Sequence, residues 1–264
     1  MVPELHDLPH LSERQSKYIR SLQQKKYRDT EGAFVAEGLR LCEEALDASV
    51  VVKQAMVTPL AFSEQRVQHL VNRCLHHNIS VFLASPKQFK QFTDAVSPQG
   101  IALVIQKPQP PEILPAAAPV VLALDALQDP GNMGTLLRTA EWFGIHSILL
   151  GHGSVEAFNP KVVRSAMGAV FRCTLFEDAD LETLLPQYQS QGYRIIGATQ
   201  TGDCELPDIL ASDRDVLVLG NEAHGLSKRV SAQLDVSVRI RKLGTGESLN
   251  AAVAGAICMY HLTQ

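Results

Sequence analysis

The chain has 264 residues, 45% of them hydrophobic, with 24 Lys and Arg against 28 Asp and Glu for a formal net charge of −4. That length holds one large domain or two ordinary ones with an ample core, and the slight acidity excludes a protein that coats nucleic acid by bulk charge. The apolar runs fall well short of the roughly 18 residues of a membrane span, and the start MVPELHDLPH has neither a basic region nor an apolar h-region, so no membrane segment or secretion signal is expected and the compartment expected is the cytoplasm.

From Glu13, the stretch ERQSKYIRSLQQKKYRD predicts one helix with Arg14, Lys17, Lys25 and Arg28 on one side and Ile19 and Leu22 on another. Such a basic face is either solvated or a phosphate-contacting stripe, and the sequence leaves both open. Helical patterns over Gly38 to Leu46 and Gln65 to His76 then alternate with the strand candidates VVVKQAMVT, ISVFLA and GIALVIQ, which predicts a small α/β domain over residues 1–106.

Cys74, His76 and His77 come nearest to a metal cluster but lack a second ligand pair, so no metal is expected. The five cysteines, Cys42, Cys74, Cys173, Cys204 and Cys258, are odd in number and scattered without a CxxC pair, which predicts free buried thiols. Residues 107–119, rich in proline and alanine, predict a stiff linker.

Beyond the linker, residues 120–264 hold the runs VVLALD, HSILLG, YRIIGAT, DVLVLG and VSVRI with helical stretches between several of them. This alternation predicts a mostly parallel sheet covered on both faces, with ligand sites at the carboxyl ends of its strands. Three strand-to-loop junctions are polar and rich in glycine. In LDALQDPGNMGTLLRTAEWFG, Asp129 to Asn132 suit a turn or helix start, and Arg138 sits one residue off the apolar face formed by Leu136, Leu137, Ala140 and Phe143. In VLVLGNEAHGLS, a strand ends at Gly220 and delivers Asn221, Glu222 and His224 into a loop.

The third junction, KLGTGESLNAAVAG, leads from VSVRI to a helix predicted to begin at Ser248 or Leu249, with Ser248 suited to an N-cap and Asn250 to the first turn. A dinucleotide-binding loop needs an acidic residue on a further strand, which finds no room before Gln264. A phosphate-cradling P-loop needs a lysine where Glu247 stands.

Together the segments QDPGNMGTLLRTAEWFG, LVLGNEAHGLS and IRKLGTGESLNAAVAGAICMY, with NPKVVRSAMGAVFR from Asn159 to Arg172, resemble the SpoU class of RNA ribose 2′-O-methyltransferases within the SPOUT superfamily. Through GAFVAEGLRLCEEAL, the first part is similar to the L30-like substrate-binding domain of the same class. The resemblance implies an α/β fold with a parallel sheet and a deep C-terminal trefoil knot, a homodimer with the active site near the subunit contact, and S-adenosylmethionine as cofactor. It implies that backbone groups at Gly220, Ile240 and Leu249 hold the cofactor, with Thr199 on the adenine side.

The same resemblance assigns Arg138 to activation of the ribose hydroxyl; Asn132 is expected to orient the ribose or the arginine, Glu222 to fix the geometry by charged hydrogen bonds, and Ser248 and Asn250 to shape the reacting pocket. A guanidinium stays protonated at neutral pH, so Arg138 is weighted toward binding the adjacent phosphate and stabilising the developing alkoxide. The substrate implied is structured RNA, ribosomal in preference to transfer RNA because an N-terminal recognition domain is present. A non-catalytic RNA-binding or ribosome-assembly protein on the same scaffold is the competing expectation. The chain departs from the class where Ile240 is followed by Arg241 and Lys242 in place of Pro-Met, and where Asn250 is followed by Ala251 and Ala252.

Overall fold

The computed structural model describes residues 4–93, 95–109, 118–210 and 212–264, so most of the expected linker, 110–117, lies outside the described residues. By contacts the chain divides into two units. One runs to Gln109 and includes Phe158–Phe171; the other runs to Ala157 and resumes from Arg172 to Gln264.

In the first unit, α1 (Glu13–Ser21), α2 (Lys25–Glu31), β1 (Ala33–Glu37), α3 (Leu39–Asp47), β2 (Val52–Val57), α4 (Pro59–Phe62), α5 (Gln65–His76), β3 (Val81–Leu83), α6 (Pro86–Phe89) and β4 (Ile101–Gln106) follow in order. The sheet order is β1-β4-β2-β3, with β4 antiparallel to both neighbours and β3 parallel to β2. Leu11, Ile19, Leu22, Val35, Met56, Phe89, Phe92 and Val104 form a core cluster on one side of it.

The single basic helix expected near the N-terminus is two helices. Ser12 caps α1 by accepting from the backbone N–H of Gln15, and the helix stops before Leu22. A helix end leaves carbonyls without intrahelical partners. Arg28, only 2% exposed, answers one of them by donating from Nη1 to the Leu22 carbonyl at 2.7 Å. Arg28 therefore belongs to the interior, while Arg14, Lys17 and Lys25 are exposed on two different helices.

The segment Phe158–Phe171, which carries α8 (Pro160–Ala166), clusters with this unit. Phe34 of β1 holds it, with ring centroids 4.7 Å from Phe158 and 6.3 Å from Phe171.

The second unit contains β5 (Val120–Leu124), α7 (Pro130–Trp142), β6 (Ser147–Gly151), β7 (Thr174–Ala179), α9 (Leu181–Ser190), β8 (Arg194–Ala198), β9 (Cys204–Glu205), β10 (Asp215–Leu219), α10 (Lys228–Ser231), β11 (Val236–Arg239) and α11 (Ala251–Leu262). Its strands are all parallel in the order β7-β6-β5-β10-β8-β11-β9. β5, β6 and β10 are buried at every position, as expected of a sheet covered on both faces. Leu181, Leu185 and Tyr188 of α9 and Val230 of α10 pack with Val121, Ile195 and Val216 in one core cluster.

On the other face α11 packs against α7 and β10. β7 escapes the sequence pattern because it is only partly buried, and its register with β6 shifts where Asp178 takes a positive φ of 55°. Among the described residues no helix is long and apolar enough to cross a membrane.

Candidate active site

The strand registers pair Leu124 with Leu219, Leu219 with Ala198, and Ala198 with Val238, so β5, β10, β8 and β11 end side by side. The polar loops of all three sequence junctions leave from this edge, where a parallel α/β sheet presents its ligand site.

Asn132 joins the three loops. Its Nδ2 donates to Glu222 Oε1 at 2.9 Å, and its Oδ1 accepts from Asn250 Nδ2 at 2.8 Å. Asn250 Oδ1 in turn accepts from the backbone N–H groups of Ala252 and Val253, so α11 begins at Ala251 with Asn250 as its N-cap. The helix start expected at Ser248 or Leu249 is thus corrected, since asparagine caps as well as serine and Asn250 also answers Asn132.

Backbone anchors hold these loops. Asp129 caps α7, accepting from the N–H of Asn132 at 2.7 Å. Asn221 donates to the carbonyl of Ala126 at 2.8 Å and accepts from Ala223 and His224 N–H, which folds the loop that presents Glu222. Asp125 Oδ2 accepts from the N–H of Ser227 at 2.7 Å and closes that loop from the other side. At Gly220 a Cβ would stand 2.3 Å from the carbonyl carbon of Gly225, so only glycine fits the backbone approach.

Of the residues expected to hold a cofactor, Thr199, Gly220 and Ile240 immediately follow the neighbouring strands β8, β10 and β11. The N–H of Thr199 is committed to the carbonyl of Val238 at 2.9 Å, leaving its hydroxyl and carbonyl for a ligand. Leu249 and Ser248 lie in the wholly exposed stretch 241–250.

Arg138 is not brought to the Asn132 trio. It lies about 120° round α7 from Asn132 by helical geometry, exposed, without a hydrogen bond or ion pair among the described residues. It shares its stripe with Trp142, which is 82% exposed. Sequence reasoning missed Asp125, Ser227 and Arg239, whose Nη1 donates to the Gly202 carbonyl at 2.5 Å. The available signal for Asp125 was an acid ending an otherwise apolar strand.

Burial pushes the thiols of Cys173 and Cys258 up to about 12 and that of Cys74 up to about 11, so they are poor nucleophiles. Cys42 is also buried, whereas Cys204 is half-buried. Among the described residues no group of three or more His, Cys, Asp or Glu is placed to hold a metal.

A parallel sheet with three interlocked polar loops at its carboxyl edge defines an α/β enzyme whose ligand site is built from backbone and amides. Residues 119–260 match the SpoU rRNA methylase family, and residues 14–103 match an MRM3-like substrate binding domain. The chain belongs to the SpoU rRNA methylase family.

It is 34% identical over 243 residues to the 23S rRNA (guanosine(2553)-2'-O)-methyltransferase RlmP of Bacillus subtilis, covering 92% of this chain and 93% of that one. It is 33% identical to the human mitochondrial rRNA methyltransferase 3, over 72% of this chain and 45% of the relative. A crystal structure of an AdoMet-bound rRNA methyltransferase from Sinorhizobium meliloti is similar with a TM-score of 0.84 and 28% identity, covering 97% of this chain and 96% of the other.

Proposed function

We propose that this protein transfers a methyl group from S-adenosylmethionine to a ribose 2′-hydroxyl of ribosomal RNA. The observation that carries the reading is the amide of Asn132 held at both ends, by Glu222 and Asn250, at the edge where the loops after β5, β10 and β11 meet. An amide so fixed orients a hydroxyl without competing for its proton. The rRNA methyltransferase relatives and the AdoMet-bound neighbour support both substrate and cofactor.

The residues present fit that cofactor. The loop 244–250 is exposed throughout, and nothing lies within 4 Å of a Cβ built on Gly244 or Gly246, which leaves room for a ligand against the backbone. Backbone groups at Gly220, Ile240 and Leu249 would hold it, with Thr199 toward the adenine. When bound, it supplies a methyl group already activated on a sulfonium.

What remains for the chain is alignment and stabilisation of charge. Asn132 orients the ribose, Glu222 fixes Asn132, Asn250 ties both to α11, and Ser248 shapes the pocket wall. Arg138 binds the adjacent phosphate and lowers the cost of the developing alkoxide.

The position of Arg138 supports a homodimer. Trp142 beside it on α7 and Val253, Ile257 and Tyr260 along α11 are exposed apolar residues on two helices that pack together, with Phe143 and Tyr260 rings 6.0 Å apart and Leu249 exposed just before α11. A second copy would cover this surface, and Arg138 would complete the partner's reacting pocket. In the same reading the chain from 240 into α11 is threaded as the trefoil knot. Residues 1–106 recognise RNA, 107–119 link, 120–264 catalyse, and the work is done in the cytoplasm where the ribosomal substrate is.

Mapping 2′-O-methyl groups in RNA from cells with and without the protein tests the reading. Loss of one ribosomal methyl group is expected. Loss confined to transfer RNA would overturn the substrate, and no loss in either pool would overturn the activity.

A further inference from the structure

We infer that Arg241 and Lys242 grip phosphates of the RNA strand next to the methylated ribose; the inference rests on the methyltransferase reading above. Three cations cluster where β11 ends, and the structure treats them differently. Arg239 is committed, donating to the Gly202 carbonyl at 2.5 Å and pairing with Glu205 at 3.7 Å. Arg241 and Lys242 are exposed and, among the described residues, enter no hydrogen bond or ion pair.

Their place gives these charges a target. β11 and the Glu222-bearing end of β10 are separated by one strand, β8. Two strand spacings amount to about 10 Å, so the two cations lie next to the reacting edge. Phosphates recur every few ångströms along a nucleic-acid strand, about 3.4 Å per nucleotide in duplex DNA, which puts phosphates within roughly three nucleotides of the target ribose in their range.

With a net charge of −4, the chain offers RNA no general attraction, so grip has to come from such local pairs. Arginine can fork a phosphate and lysine adds a mobile point charge. Glu247, the acid of the same exposed loop, also has no ion pair among the described residues, so the pair's charge is not cancelled by a salt bridge there.

The test uses the full chain with Arg241→Gln, Lys242→Gln and the double variant, with Arg241→Lys as the conservative control. Binding to a 23S rRNA fragment is measured across a potassium chloride series, alongside methyl-transfer kinetics. The double variant is expected to raise the KM for RNA about tenfold and to make the slope of log K against log salt shallower by about 1.4, two phosphates at about 0.7 each. The KM for S-adenosylmethionine and kcat at saturating RNA stay as in the wild type, and Arg241→Lys keeps the slope.

An unchanged salt slope with unchanged RNA affinity would overturn the inference. A rise in the KM for S-adenosylmethionine alone would also overturn it, assigning the cations to the cofactor's carboxylate. If the wild type transfers no methyl group, the methyltransferase reading fails, while the binding slope still decides whether these cations hold RNA.

Discussion

Asn250 donates through Nδ2 to Oδ1 of Asn132 at 2.8 Å while its own Oδ1 caps α11, so one side chain both starts a helix and positions a residue of another. These two duties separate chemically. An aspartate at 250 keeps the capping acceptor but loses the donor that Asn132 requires.

Asn250→Asp is therefore expected to unfold within a few degrees of the wild type yet to lose methyl transfer by about a hundredfold, the scale of one misplaced polar group at a reacting centre. Asn250→Ala loses the cap as well, costing about 1 kcal/mol of stability. Thermal unfolding beside single-turnover kinetics separates the two; wild-type turnover in Asn250→Asp, with stability lost only in Asn250→Ala, would assign Asn250 to capping alone.

Gly220→Ala places a Cβ 2.3 Å from the backbone of Gly225. Backbone cannot swing aside as a side-chain tip can, so the loop carrying Glu222 must shift. A loss of about 2 kcal/mol and a fall in turnover of at least tenfold are expected by denaturant unfolding and initial rates. A variant with wild-type values on both would show that the close approach is not needed.

Arg138 lies about 120° round α7 from Asn132, on the exposed stripe with Trp142. Arg138→Ala and Glu222→Ala should each be inactive alone. Mixed so that subunits exchange, they should recover about a quarter of wild-type activity, because half of the dimers are mixed and one of their two sites is complete. No recovery despite demonstrated exchange would place Arg138 and Glu222 in the same subunit's pocket.

Alkaline stability follows from the buried thiols. The thiols of Cys173 and Cys258 are held near 12 in the fold against an ordinary value of 9.0. Between those values the unfolded chain gives up protons that the folded chain keeps. Their contribution is therefore full below about pH 9 and lost as pH rises toward 12. The unfolding temperature should fall across that window, and less steeply in Cys258→Ala; an identical alkaline slope in that variant would contradict the assignment.

The sequence made the second unit's parallel sheet legible because its strands are short apolar runs separated by helical stretches, a pattern that buried parallel strands impose. The trio of Asn132, Glu222 and Asn250 was legible only through motif resemblance, since each residue alone suits a turn or a cap. What escaped was local. Arg28 looked like surface charge because nothing in its spacing reveals the Leu22 carbonyl it serves. β7 broke alternation through its irregular register with β6, and Asp125 acts across 102 residues on Ser227, beyond any local pattern.

The most direct test of the account is transfer of labelled methyl from S-adenosylmethionine to ribosomal RNA isolated from cells lacking the protein, with the acceptor atom mapped. The account predicts incorporation at a single ribose 2′-oxygen by the wild type and none by Arg138→Ala. Folded, cofactor-binding wild-type protein that leaves every ribosomal ribose unlabelled would contradict it.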